Sequence, residues 1–76
     1  MLTPQDMTKL LSSHGFSPSA TLGGQTIFIY LNGEHLGEWR KSTNIVVVRD
    51  PRLAAWCHIV GLKYETIKTS IQNKRT

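Results

Sequence analysis

The stretch QTIFIYLNGEHLGEWR, residues 25–40, predicts a β-hairpin. Residues 25–31 are rich in β-branched and aromatic side chains, which favour strands. Asn32 and Gly33 form the Asn-Gly pair that a type I′ turn prefers, because both central positions of that turn need positive φ. Residues 34–40 then form the return strand, so two antiparallel strands are expected here.

Beyond the hairpin, the sequence predicts a third strand and a helix. Residues 44–48 form an apolar run that is typical of a central strand, which completes a three-stranded antiparallel meander. The next helix begins with Asp50 as its N-cap and Pro51 at its first position, and Gly61 ends it. Apolar residues at the spacing i, i+3, i+4 and i+7 predict one buried stripe: Leu53, Trp56, Cys57 and Val60.

The chain before the hairpin predicts a helix over residues 4–14 and a loop over residues 17–24. Thr3 is a suitable N-cap and Pro4 fits the first helical position. Gly15 favours the left-handed conformation that often ends a helix. The loop is expected because serine, proline and two adjacent glycines leave no regular apolar pattern.

The segment GLKYETIKTSIQNKR, residues 61–75, predicts a last helix over residues 63–73. Cys57, Gly61 and Ile67 have the spacing of a helix-turn-helix motif: a small packing residue, a glycine at the turn and a β-branched anchor. We therefore expect an α+β fold with an N-terminal helix, a three-stranded antiparallel sheet and two C-terminal helices that form a helix-turn-helix.

The length of 76 residues predicts a single domain, 1–76. Residues 1–49 are expected to form a scaffold of one helix and a β-meander, and residues 50–76 the helix-turn-helix. A domain of this size buries only about 60% of its unfolded surface, so its stability is expected to be marginal. Dimerisation would bury more surface, and a homodimer is therefore expected.

Charge is distributed unevenly along the chain, which has a net charge of +4 and a pI near 9.7. Residues 1–39 hold one basic and three acidic side chains, which gives −2, whereas residues 40–76 hold eight basic and two acidic side chains, which gives +6. A basic half beside a mildly acidic half is typical of a protein that binds a polyanion.

Cys57 is the only cysteine, which excludes a disulfide within the chain and favours a reducing compartment. No apolar run approaches the roughly 20 residues that cross a bilayer. The N-terminal sequence has no basic region followed by an apolar one, so no signal peptide is expected. Together these features predict a cytoplasmic protein.

The C-terminal sequence VGLKYETIKTSIQNKR resembles the recognition half of phage Cro-type repressors. Gly61, Leu62, Ile67 and Ile71 match the glycine, the apolar plug and the two anchors of that family, and Ser70 stands where it carries a small residue. The flanks differ, because Cro-type proteins place strands after the motif and this chain places them before it. The resemblance implies a helix that reads the major groove of duplex DNA.

Side chains on the outer surface of this predicted helix have the chemistry that base reading needs. Gln72 suits an adenine edge, Lys68 a guanine edge, Glu65 a cytosine amine, and Thr69 a base edge or a thymine methyl. Basic residues nearby would neutralise phosphates. Nine residues are predicted to contact DNA: Arg52, Lys63, Tyr64, Glu65, Lys68, Thr69, Gln72, Lys74 and Arg75.

A second resemblance covers residues 7–60. The order helix, strands, helix, with LLSSHGF followed by GGQTIFIYLNG, resembles HicA-type toxins, which are small ribonucleases with a fold of the double-stranded-RNA-binding type. Those toxins carry a catalytic histidine after a glycine at the start of the first strand. Here Gln25 and Thr26 follow Gly24, so the resemblance implies an RNA-binding protein without nuclease activity.

Other chemistry has little support in the sequence. His14, His35 and His58 are far apart and have no second cysteine near them, so no metal site is expected. Cys57 is expected to be a packed, unreactive thiol. Trp39 either stacks on a base beside Arg40 and Lys41 or belongs to the core or a dimer interface. No catalytic residue and no cofactor are predicted, and the protein is not expected to be an enzyme.

These features favour a small sequence-specific DNA-binding protein, a transcriptional regulator of the size found in phages and mobile elements. One alternative is a small inhibitor or adaptor that binds an acidic surface of a host protein through its basic half. Another is a catalytically inactive RNA-binding protein of the HicA-like type.

Overall fold

The computed structural model describes residues 2–67, which fold into two helices and a five-stranded sheet. The strand order is β1-β2-β3-β4-β5; the first four strands are antiparallel and β5 is parallel to β4. None of the helices described is both long and apolar enough to cross a membrane. The elements are α1 (Pro4–Ser13), β1 (Ser17–Ala20), a short 3₁₀ turn (Leu22–Gly24), β2 (Thr26–Leu31), β3 (Glu34–Arg40), β4 (Ile45–Val48), α2 (Pro51–Val60) and β5 (Tyr64–Thr66).

The first helix forms where its capping residues predict it. The Thr3 hydroxyl accepts a hydrogen bond from the Asp6 amide at 3.1 Å, and the Asp6 carboxylate accepts one from the Thr3 amide at 3.2 Å. This reciprocal pair satisfies two backbone donors at the helix start. Pro4 occupies the first turn, and Gly15 takes a φ of +89° just after the helix. The predicted helix is therefore confirmed.

The central hairpin is also confirmed. Asn32 and Gly33 have φ values of +52° and +82°, as a type I′ turn requires. The strand register contains one irregularity: Ile29 pairs with Gly37 and Tyr30 pairs with His35. Leu36 is therefore an extra residue on β3, a bulge that lets both Leu36 and Gly37 lie towards the core.

The prediction of a loop over residues 17–24 is wrong. Ser17–Ala20 is strand β1, which pairs antiparallel with β2, and only Leu22–Gly24 forms a turn. The side chains of this strand carry almost no intrinsic strand preference. The strand forms because β2 presents a second backbone edge whose donors and acceptors need partners.

The prediction of two C-terminal helices is also wrong, so the expected helix-turn-helix does not form. Tyr64–Thr66 is strand β5, not the start of a helix. The Val46 amide donates to the Lys63 carbonyl at 3.0 Å, and the Ile67 amide donates to the Val48 carbonyl at 3.0 Å. The unsatisfied edge of β4 thus binds this segment as a strand. The remainder of the predicted helix, 68–73, lies outside the described residues.

Helix α2 connects the two parallel strands and matches its prediction. Asp50 caps it by accepting from the Arg52 amide at 2.9 Å, Pro51 follows, and Gly61 ends it at a φ of +80°. The order β4-α2-β5 is a βαβ unit, in which the helix must cross one face of the sheet.

Both helices pack against the same face of the sheet and form one apolar core. The aromatic contact of Phe16 with Trp56, at 5.2 Å between ring centroids, joins the end of α1 to α2. Trp39 is fully buried there, and its indole nitrogen donates to Asn44 Oδ1 at 2.9 Å, so Trp39 belongs to the core. The buried apolar residues are Met7, Leu11, Ile27, Ile29, Leu36, Trp39, Val46, Val48, Leu53, Trp56 and Cys57.

Gly37 sets how closely α2 approaches the sheet. A Cβ atom at this position would lie 2.7 Å from Leu53 Cδ2 and would also meet the Val47 carbonyl oxygen. Only a residue without a side chain therefore lets Leu53 pack directly on β3.

We expect Gly37→Ala to destabilise the protein by about 1–3 kcal/mol, because an added methyl group forces backbone or side-chain shifts in a packed core. Urea unfolding of Gly37→Ala, Leu53→Ala and the double variant measures this. The double variant should cost less than the sum of the single variants, since Leu53→Ala removes one of the atoms that the new Cβ meets. A Gly37→Ala stability within about 0.5 kcal/mol of wild type would contradict this packing.

Cys57 lies in the same core and is fully buried. Burial raises the pKa of its thiol to about 11. Because the thiolate is the reactive form, we expect no reaction with a disulfide reagent at pH 8 in the folded state and complete reaction in urea. Rapid labelling of the folded protein would show that this thiol is accessible.

Candidate nucleic-acid interface

The sheet has a second face, which neither helix covers. Side chains alternate along each strand, so the residues between the buried positions lie on this face. Phe28, Ile45 and Val47 are half-buried there but do not belong to the apolar core. We call this surface the open face; its central residues are Phe28, Tyr30, His35, Glu38, Arg40, Ile45, Val47 and Arg49.

Three aromatic rings lie together on the open face. The centroid of His35 is 5.7 Å from Phe28 and 5.3 Å from Tyr30. Tyr30 and His35 are paired across β2 and β3, which explains their proximity. Nε2 of His35 is enclosed and has no hydrogen-bond partner among the described residues. The three rings form a continuous patch on which a planar ligand can stack.

An ionic cluster adjoins the rings. Arg40 donates to Glu38 Oε2 at 2.8 Å, and Arg49 lies 3.9 Å from Glu38 Oε1. The side chains of Arg40 and Arg49 are 55% and 46% exposed, whereas that of Glu38 is 9% exposed. Two guanidinium groups share one carboxylate, so the cluster carries a net charge of +1 and directs its positive groups outwards.

The apolar content of the open face is unusual for its position. A sheet with one covered face normally presents polar residues on the other. Here four partly buried side chains, Phe28, Tyr30, Ile45 and Val47, interrupt that pattern, and apolar patches rimmed by charge mark interaction sites. The open face therefore has the composition of a binding surface.

Arg52, one of the nine predicted contact residues, is bound to carboxylates. It donates to Asp50 at 2.9 Å and to Glu34 at 2.8 Å. These contacts raise the pKa of Arg52, and the hydrogen bonds from Arg52 lower the pKa of Asp50 to about 2. Arg52 therefore stabilises the start of α2 and its junction with the hairpin.

Among the other predicted contact residues, the three that the structure describes do not form one reading surface. Lys63 lies just before β5, and its backbone carbonyl accepts a hydrogen bond from the Val46 amide of β4. Tyr64 pairs with Val46 and Glu65 with Val47, so alternation directs them to opposite faces. The remaining five predictions, Lys68, Thr69, Gln72, Lys74 and Arg75, lie outside the described residues.

In the part of the chain that is described, the histidines and the possible metal ligands do not form a further candidate site. Across residues 2–67, no group of three or more His, Cys, Asp or Glu side chains is placed to hold a metal ion. His14 makes an edge contact with Trp56 at 5.7 Å, and His58 lies exposed on α2.

The sequence contained a signal for the open face. In TIFIYL the aliphatic residues Ile27 and Ile29 alternate with Phe28 and Tyr30, so one row is aliphatic and the other aromatic. Sequence reasoning assigned this strand to the structural scaffold and predicted no binding role for it. It considered Trp39 for base stacking, but alternation places its neighbours Glu38 and Arg40 on the open face instead.

Comparison with known proteins adds no relative: no protein-family model matches the chain, and neither curated proteins nor solved structures give a significant match.

The Asp50–Arg52 contact predicts an acid-dependent stability. The folded pKa of Asp50 is below its ordinary value of 3.8, so its contribution is full above pH 4 and is lost as pH falls towards 2. Asp50→Asn keeps a capping oxygen but removes the charge. We expect wild type to be more stable than Asp50→Asn above pH 4 and the difference to disappear near pH 2, as measured by urea unfolding. A difference that is constant with pH would contradict this role.

Proposed function

We propose that the protein binds single-stranded nucleic acid on the open face of its sheet. The observation that carries the proposal is a patch of three rings beside two half-exposed arginines: the centroid of His35 lies 5.7 Å from that of Phe28 and 5.3 Å from that of Tyr30. Single-strand-binding proteins combine these two elements: rings that stack on bases and a positive surface that follows the backbone.

Each group has a distinct role. Phe28 and Tyr30 offer ring surface to successive bases, since they lie two residues apart on the same side of β2. Residues at that spacing are about 7 Å apart, which matches the separation of nucleotides in an extended strand. Arg40 is the last residue of β3, the strand beside β2, and Arg49 directly follows β4, so both can contact the phosphates.

Duplex DNA is a poorer fit to this surface. A flat sheet face with stacking rings needs bases that are not already stacked in a helix. The predicted recognition helix is replaced at Tyr64–Thr66 by strand β5, so that helix is no part of the proposal. The basic C-terminal half of the sequence remains consistent with a polyanionic ligand.

We expect Phe28→Ala and Tyr30→Ala each to weaken binding of a fluorescent single-stranded oligonucleotide roughly 5- to 100-fold, because stacking contributes about 1–3 kcal/mol per base. Fluorescence anisotropy with RNA and DNA of one mixed sequence, single-stranded and duplex, measures this. Ile59→Ala is the matched control, since Ile59 is apolar and 78% exposed but lies on α2, on the covered side of the sheet. Equal binding by all variants would contradict the proposal.

Arginine substitutions test the phosphate contacts. Arg40→Ala should lower the dependence of log affinity on log salt by about 0.7, the value for one phosphate contact to a single strand. Arg49→Ala should act similarly.

An alternative occupant of the open face is a second copy of the chain. Sedimentation showing a dimer that Phe28→Ala dissociates, together with no binding of any oligonucleotide, would replace the proposal with self-association.

A further inference from the structure

Glu38 is the one acidic side chain at the centre of the open face, and its placement is unusual. It is 7% exposed although neither α1 nor α2 covers it. In the strand register it lies directly between Phe28 on β2 and Val47 on β4. A carboxylate on the water-facing side of a sheet is normally hydrated, because burial of a charge is costly unless it is paired.

The two oxygens of this carboxylate have different surroundings. Oε2 accepts from Arg40 Nη2 at 2.8 Å and from Arg40 Nε at 3.3 Å. Oε1 has Arg49 Nη2 at 3.9 Å, which is beyond hydrogen-bond distance, and accepts no hydrogen bond from the side chains described. Among residues 2–67, Oε1 therefore has hydrogen-bond acceptor capacity that no side chain uses.

We infer that Glu38 selects the base that stacks on Phe28, favouring bases with amino groups, guanine most of all, and disfavouring uracil. This inference rests on the proposed function. Cross-strand partners have Cβ atoms about 5 Å apart, so a base on the Phe28 ring brings its edge to the Glu38 carboxylate.

The hydrogen-bond donors on the edge of each base predict the order of affinity. An ionised carboxylate only accepts hydrogen bonds. Guanine presents two adjacent donors, N1–H and the 2-amino group, and cytosine and adenine each present one amino group. Uracil has a single N3–H donor between two carbonyl oxygens, which a carboxylate repels. Arg40 and Arg49 lie against this carboxylate and limit its rotation.

The test uses four RNA heptamers of uridine whose central base is G, A, C or U, with affinity measured by anisotropy. Wild type should bind the G heptamer at least 10-fold more tightly than the U heptamer, with A and C between them. Glu38→Gln should reduce this ratio to about 3-fold or less while retaining binding. Glu65→Gln is the matched control. It removes the same charge from the same face of the sheet, but Glu65 lies two strands away from Glu38.

A fifth heptamer with central inosine, which lacks the 2-amino group, tests the inference with wild-type protein alone. It should bind more weakly than the G heptamer, and this holds even if Glu38→Gln does not fold. Equal affinity for all heptamers, with Phe28→Ala still weakening them, would overturn base selection and leave the proposed function standing. A preference that Glu38→Gln leaves unchanged would also overturn it. No binding of any heptamer would remove the proposed function itself.

Discussion

The contact between Leu53 of α2 and the backbone of β3 at Gly37 is the constraint on which the rest of the fold depends. Because Gly37 has no side chain, α2 lies directly on the sheet, with Leu53 Cδ2 only 2.7 Å from the position of a Cβ atom. The crossover from β4 to β5 must then pass over this face, which α1 also covers. With both helices on one side, neither of them covers the opposite face.

Local signals predicted most of the elements correctly. The Thr3–Asp6 capping box, the Asn32-Gly33 turn and the Asp50-Pro51 start each involve residues close in sequence, so the chain alone determines them. Strands β1 and β5 were missed because SPSA and YET have little strand preference. They form by pairing with β2 and β4, and such non-local pairing overrides local propensity.

The candidate site could be predicted only in part, for the same reason. Alternation in TIFIYL separates aromatic from aliphatic residues, but only the sheet order shows which row the helices cover. Arg52 was expected to contact phosphate because the sequence shows its charge but does not show its contact with Glu34. Its partner Glu34 is 18 residues away, and the Arg52–Glu34 contact requires the folded hairpin. On the open face, the approach of Arg49 to Glu38 likewise requires the folded sheet.

We propose that ligands bind the open face and not the helical side. The most direct test is a methyl NMR titration of the wild-type protein with a single-stranded RNA heptamer. We expect shifts for Ile45 and Val47, which lie on the open face, and none for Ile59, which lies exposed on α2. Shifts at Ile59 without shifts at Ile45 and Val47 would place the ligand on the other side of the sheet and contradict this proposal.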